Sequence, residues 1–222
     1  MSKENFDLLG RIVSMLATIP QAWGVLVDLC EKLASPAGQE WQTELAKFLR
    51  REPAWPRRWR VGEDGIIYVT VISRGRTGEQ WIEHFKQKGT YTGDNTKSIL
   101  LSPDFKPTSG VKYEVAILPG CLFENNERLT QNIREKAECR KLSTPNAELA
   151  CLIRDTFADK EIKEIGFHWI ITMHEPINDS VGRPLFLGTA RDGGSCLDVY
   201  YGGPGYCWVS GYGFAFVSQV SS

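Results

Sequence analysis

The sequence predicts an α+β fold: an N-terminal helical segment, then a mixed domain that ends in an antiparallel β-meander. Three observations predict it. Apolar residues recur at helical spacing through positions 3–50. Short β-rich runs and helical stripes alternate between Ile66 and Phe157. From Phe167 onward, short runs of alternating apolar and polar residues are separated by glycine-rich turns. Helices first, mixed elements next and consecutive strands last is the α+β order.

Residues 3–50 predict three helices. Ser2 caps the first, with Phe6, Leu9, Ile12, Val13 and Leu16 on one side. Pro20 suits the first turn of the second, which carries Trp23, Leu26, Leu29, Cys30 and Leu33. Ser35-Pro36 opens the third, with Trp41, Leu45, Phe48 and Leu49. Two prolines interrupt the stretch from Arg50 to Arg60, so residues 51–62 are expected to link a helical segment (1–50) to an α+β domain (63–222).

Ile66–Ile72 is expected to form a buried strand. Thr77 and Gln80 make a capping-box pattern before a helix bearing Trp81, Ile82 and Phe85. Ser98–Leu101 and Lys112–Leu118 read as strands. Thr130 caps one helix and Thr144-Pro145 opens another, the two forming an αα-hairpin, and Asp159–Ile165 is a short helical turn before Gly166. In the last quarter Phe167, Trp169, Ile171 and Met173 form an apolar face, and His168 and His174 share the other. Six residues of strand put those histidines roughly 20 Å apart, too far to ligate one metal. Pro176 ends the strand, and Asn178, Asp179, Ser180 and Gly182 supply turn chemistry. Asp192-Gly193 and Gly202–Gly205 are further turns.

Composition narrows the function. A 222-residue chain with 42% hydrophobic residues can build a real core, and a net charge of −1 gives no general attraction to nucleic acid or anionic membrane. The apolar stretches from Ile12 to Ala34 are broken by Pro20, Gln21, Asp28, Glu31 and Lys32. MSKENFDLLG lacks the basic start and apolar run of a signal peptide. The expected address is cytoplasmic, with no membrane partner. The six cysteines are spaced irregularly, so reduced, mostly core thiols are expected, with no structural zinc and no cofactor.

From about Ile66 to Val217 the chain resembles a family of small bacterial proteins of uncharacterised activity. The resemblance rests on EPI-x-DS-x-G from Glu175 to Gly182, the helix entry around Thr130, and FAFV from Phe214 to Val217. It implies no catalytic residue.

Several sites are expected from residue chemistry. Arg74, Arg76 and Thr77 sit in an RGRTG loop between a strand and a helix, where free N–H groups and arginine forks suit an anion. Trp55, Arg57, Arg58, Trp59 and Arg60, with Arg50 and Arg51, combine guanidinium and indole groups as single-stranded nucleic-acid binding requires. The neutral charge balance weighs against that partner. The helices of 130–157 have the size of a helix-turn-helix, but the second is poor in basic residues. Cys121 follows a strand end, where a thiolate could use His84, His168 or His174 as base, with Asp179 or Asn178 to orient His174. Glu175, Asp179, Asp192 and Asp198 supply turn carboxylates, and Tyr200, Tyr201, Tyr206, Trp208 and Tyr212 an aromatic surface. No metal set, nucleotide fingerprint or assembled catalytic cluster is present, so the leading expectation is a non-enzymatic binding or interaction module. The N-terminal helices would offer a surface for a protein partner or self-association. A cysteine-dependent hydrolase is the enzymatic alternative.

Overall fold

A computed structural model of the chain describes residues 23–50, 58–190, 195–203 and 205–221. The chain divides into two units, Met1–Arg57 and Arg58–Ser222. The first expected helix, Trp55, Arg57 and the Asp192-Gly193 turn lie outside the described residues.

The first unit holds α1 (Trp23–Ala34) and α2 (Gly38–Leu49), packed on each other. Ser35 does not open α2. Its hydroxyl donates to Lys32 O at 2.6 Å and so closes α1. Val25, Val27, Phe48 and Leu49 are exposed.

The second unit is built on nine strands: β1 (Trp59–Val61), β2 (Ile67–Arg74), β3 (Tyr91–Thr92), β4 (Ser109–Pro119), β5 (Trp169–Thr172), β6 (Ile177–Asn178), β7 (Pro184–Ala190), β8 (Cys196–Tyr201) and β9 (Tyr212–Ser221). Their order is β1-β2-β4-β9-β5-β7-β8-β3, with β6 beside β7. The fold is α+β, but the sheet is mixed, which corrects the expected meander. β5 runs parallel to β9, and β3 parallel to β8. β9 leaves β8 and enters between β4 and β5 because Gly213–Val217 is buried on both faces, as a central strand demands. The sheet also starts earlier than residue 63, since Trp59 to Val61 pair with Val69 to Ile67.

Five further helices complete the unit: α3 (Gly78–Gln87), α4 (Asp94–Leu100), α5 (Thr130–Cys139), α6 (Glu148–Thr156) and α7 (Asp159–Ile165). Alternation along β4 separates two cores. Val115 and Ile117 face one that takes Trp81 and Phe85 of α3, Ile99 of α4, Leu149 and Ile153 of α6 and Ile162 of α7. Ala116 and Leu118 face the other, with Ile133 and Ala137 of α5 and Trp208. α5 and α6 therefore lie on opposite faces, and the expected αα-hairpin does not form. Glu148 to Arg154 of α6 are all buried, so no groove-reading helix is offered either.

Other expectations are corrected locally. Ser98–Leu101 is the end of α4, and its three apolar residues are too few to separate strand from helix by pattern. Thr130 starts α5 without capping it. Its hydroxyl donates to Gly202 O and accepts from Trp208 Nε1 at 3.0 Å. The strand face that carries His174 is buried too, since Ile170, Thr172 and His174 are all enclosed. Of the six free cysteines only Cys151 is buried, whereas Cys30, Cys121, Cys139 and Cys207 are exposed. Among the described residues, no helix is long and apolar enough to cross a membrane.

Candidate functional site: a crevice where the sheet divides

β5 follows β9 only as far as the pair Thr172 and Ala215, after which Met173 N donates to Ala215 O at 3.1 Å. Two residues on, Val217 turns to Ser143 instead, with reciprocal backbone bonds of 2.8 and 3.0 Å. Residues 143–147 thus take the place that β5 vacates, and a gap opens between them and residues 174–177. Residues 174–176 make no further backbone bond to β9 among the described residues, and Pro176 has no N–H with which to resume a ladder. Crevices at the carboxyl ends of diverging strands are where open sheets commonly hold ligands. A cavity of about 470 Å³ lies here, walled by Pro145–Ala147, by His174–Ile177 and by Asp104 and Lys106. A second cavity of about 390 Å³ shares Ile177 and continues between α4 and residues 177–185.

The loop between them is held from several sides. His174 is buried. Its Nδ1–H donates to Glu175 O at 2.6 Å, and its Nε2 accepts from Leu187 N at 2.9 Å. Burial lowers its pKa to about 4, against the pull of the Glu175 carbonyl, so the ring is neutral. Arg134 of α5 donates to His174 O at 2.7 Å and pairs with Glu175. Asp179 accepts from Val181 N, Arg183 N and Arg183 Nε. The bonds from Arg183 hold that carboxyl below its ordinary pKa. Gly182 completes the turn at φ +80°, where a side chain would be strained. Glu175, Asp179 and Gly182 of the EPI-x-DS-x-G segment thus each have a structural role.

The lining is an apolar floor with unspent polar groups around it. Ile99, Ile177 and Leu185 form the floor. The side chains of Asn95, Asn178 and Ser180 make no hydrogen bond to described residues. Asn146 uses its Nδ2 on Lys106 O, and its Oδ1 is buried without a donor. Such an orphaned acceptor in a cavity wall calls for an explanation.

The structure does not bring the expected catalytic trio together. Cys121 sits exposed in a 3₁₀ turn (Gly120–Leu122) beyond β4. Pro119 and Ile170 share the partner Gly213, and His174 lies four residues past Ile170, about 13 Å along the strand direction. Both nitrogens of His174 are spent, on Glu175 O and on Leu187 N of β7, and Asp179 serves its own turn.

The expected basic sites are also largely spent. At the RGRTG loop, Thr77 and Gln80 form the reciprocal capping box. Arg76 donates to Asp155 at 3.2 Å and lies 4.8 Å from the Trp81 ring. Asp155 also binds His84 at 2.6 Å and Lys88. Burial raises the pKa of Asp155, but its bonds to His84 and Lys88 outweigh that and hold it at about 2. Only Arg74 remains unpaired there among described residues. In the linker, Trp59 is buried and edge-on to Phe157 at 6.3 Å. Arg58 caps α6 through Thr156 O, and Arg60 pairs with Glu114 at 2.7 Å over the Tyr68 ring. Glu175 and Asp198 are likewise engaged, by Arg134 and by Thr96. Among the described residues no cluster of three metal-ligating side chains occurs.

Sequence reasoning did not single out Asn95, Ile99 or Asn146. Asn146, directly after Thr144-Pro145, reads as helix-start chemistry, and nothing local tells that it faces residues 174–177. No protein-family model matches the chain, and neither a curated protein nor a solved structure matches it.

Proposed function

We propose that this chain is a non-enzymatic cytoplasmic binding protein whose ligand occupies the crevice between residues 143–147 and 174–185. The observation that carries this reading is the division of the sheet after Thr172 and Ala215, which leaves two adjoining cavities beside a firmly held loop. A preformed cleft of this size with an apolar floor and a few free polar groups is the ordinary architecture of a binding site. The hydrolase alternative loses His174 as its base, since Nε2 already accepts from Leu187 N. The nucleic-acid alternative loses Arg58, Trp59 and Arg60 to structural contacts.

The test fills the second cavity from its rim. Ser98 is exposed on α4 and lines the cavity, so Ser98→Trp puts an indole into the space with little cost to the core. A panel of polar and apolar fragments is screened by NMR on methyl-labelled protein. Ligands are expected to move the methyl signals of Ile99, Ile177 and Leu185 in the wild type and not in Ser98→Trp. Binding that leaves those methyls unmoved, or survives the substitution, places the function elsewhere.

A further inference from the structure

The crevice contains an open strand edge. β6 pairs with β7 through Ile177–Leu185 and Asn178–Pro184, and Asp179 N donates to Arg183 O at 3.0 Å. Hydrogen-bonding direction alternates along a strand, so Ile177 and Asp179 point their backbone groups toward β7, and Asn178 points its own away. Pro184 opposite Asn178 agrees, because a residue without N–H belongs in a non-hydrogen-bonded pair. β6 lies on the side of β7 that β5 occupies, so the N–H and C=O of Asn178 face away from β7, on the side of the crevice. Among the described residues nothing pairs with them.

Resting on the proposed binding role of this crevice, we infer that its ligand is an extended peptide segment that adds as a strand to the outer edge of β6. Three independent features fit a peptide backbone. The edge offers one donor and one acceptor in strand geometry. Free carboxamides of Asn95 and Asn178 stand on one side, and the orphaned Asn146 Oδ1 lies on the other, and an amide is the natural complement of a main-chain N–H and C=O. Ile99, Ile177 and Leu185 provide an apolar seat for one side chain of the added strand. The lining contributes no Phe, Tyr or Trp ring on which a sugar or base could stack, and the His174 ring is buried. In strand addition the main chain supplies affinity and alternate side chains supply selectivity.

The test uses the full chain and blocked hexapeptides with Ser at odd positions and Leu, Val or Phe at even positions. Each is compared with a version N-methylated at the even positions, and N-acetyl-leucinamide serves as the small-molecule control. Peptide binding is expected to slow hydrogen exchange at Asn178 and to weaken at least tenfold on N-methylation. Asn178→Pro removes the outward N–H and no bond to β7. It is expected to weaken the peptide at least tenfold at unchanged thermal stability, and Asn178→Ala to weaken it only a few-fold. Binding indifferent to N-methylation and to Asn178→Pro overturns the strand-addition mode. Methyl shifts at Ile177 with N-acetyl-leucinamide or the fragment panel, but with no hexapeptide, overturn the peptide and leave the crevice as a site. Silence from every probe removes both.

Discussion

Two glycine-and-arginine turns of this protein look alike in sequence and behave differently in structure. One is Arg74–Gly78, the other Asp179–Arg183. In the first, α6 passes close by and presents Asp155, which collects Arg76, His84 and Lys88, while Trp81 backs the guanidinium. Gly78 allows α3 to press on α4, where a Cβ would come within 1.7 Å of Leu100 O. The turn is consumed in joining helices. In the second, Asp179 satisfies Arg183 within the turn itself, and the neighbouring residues are left facing the cavity. The residues of a loop therefore do not decide whether it binds something external. The element that passes over it decides.

The strongest way to break the second turn is at its root. His174→Ala leaves the buried N–H of Leu187 without an acceptor, which costs about 2–3 kcal/mol. For a unit of this size that lowers Tm by roughly 5–10 °C in a thermal melt. The same residue gives a pH signature. His174 is neutral when folded, with pKa about 4, so the unfolded chain binds its proton first. Its contribution is complete above pH 6.5 and is lost as pH falls from 6.5 to about 4. Denaturant titrations across that range should show the loss in wild type and less of it in His174→Ala.

Asp155→Asn tests the first turn. It removes the carboxylate that joins three cations, and after allowance for solvent screening it should cost on the order of 1 kcal/mol at neutral pH. The carboxyl is held near pKa 2, below its unfolded value. The wild-type advantage is therefore present above about pH 4 and disappears on acidification toward pH 2. Equal slopes for both proteins in acid would show that Asp155 does not hold the turn. A smaller effect is expected for Asp179→Asn. Faster hydrogen exchange at Val181 and Arg183, with the melting curve little changed, is the expected outcome. The smallest concerns Arg74→Ala, whose side chain has no partner among the described residues and which should leave stability within about 0.5 kcal/mol by the same melt.

Much of the frame was legible in the residues. The capping box at Thr77 and Gln80 and the strand of Ile67–Arg74 rest on local chemistry, which sequence displays, although that strand is buried on one face only and Ile72 is exposed. The position of β9 was not legible. Its apolar run Phe214–Val217 marks it as buried, but whether it pairs with β8 or enters between β4 and β5 depends on contacts from 100 residues away. The site suffered most from this. Cys121, His174 and Asp179 were chosen for chemical type, and type says nothing of Leu187 N arriving to occupy the imidazole. The crevice itself is made of a departure between strands, which no single segment records.

The place of β9 also has a consequence for how the protein is made. It is the last described strand to be synthesised, yet it lies between β4 and β5. Until it arrives, β4 on one side and β5 on the other present open edges, and open edges invite pairing with other chains. The sheet therefore cannot close progressively as the chain leaves the ribosome. It stays in two ribbons until residues 212–221 emerge, and such long-range pairing is slow. During that interval the nascent chain is at its most vulnerable to aggregation, and a chaperone holding the β4 edge would shorten the risk.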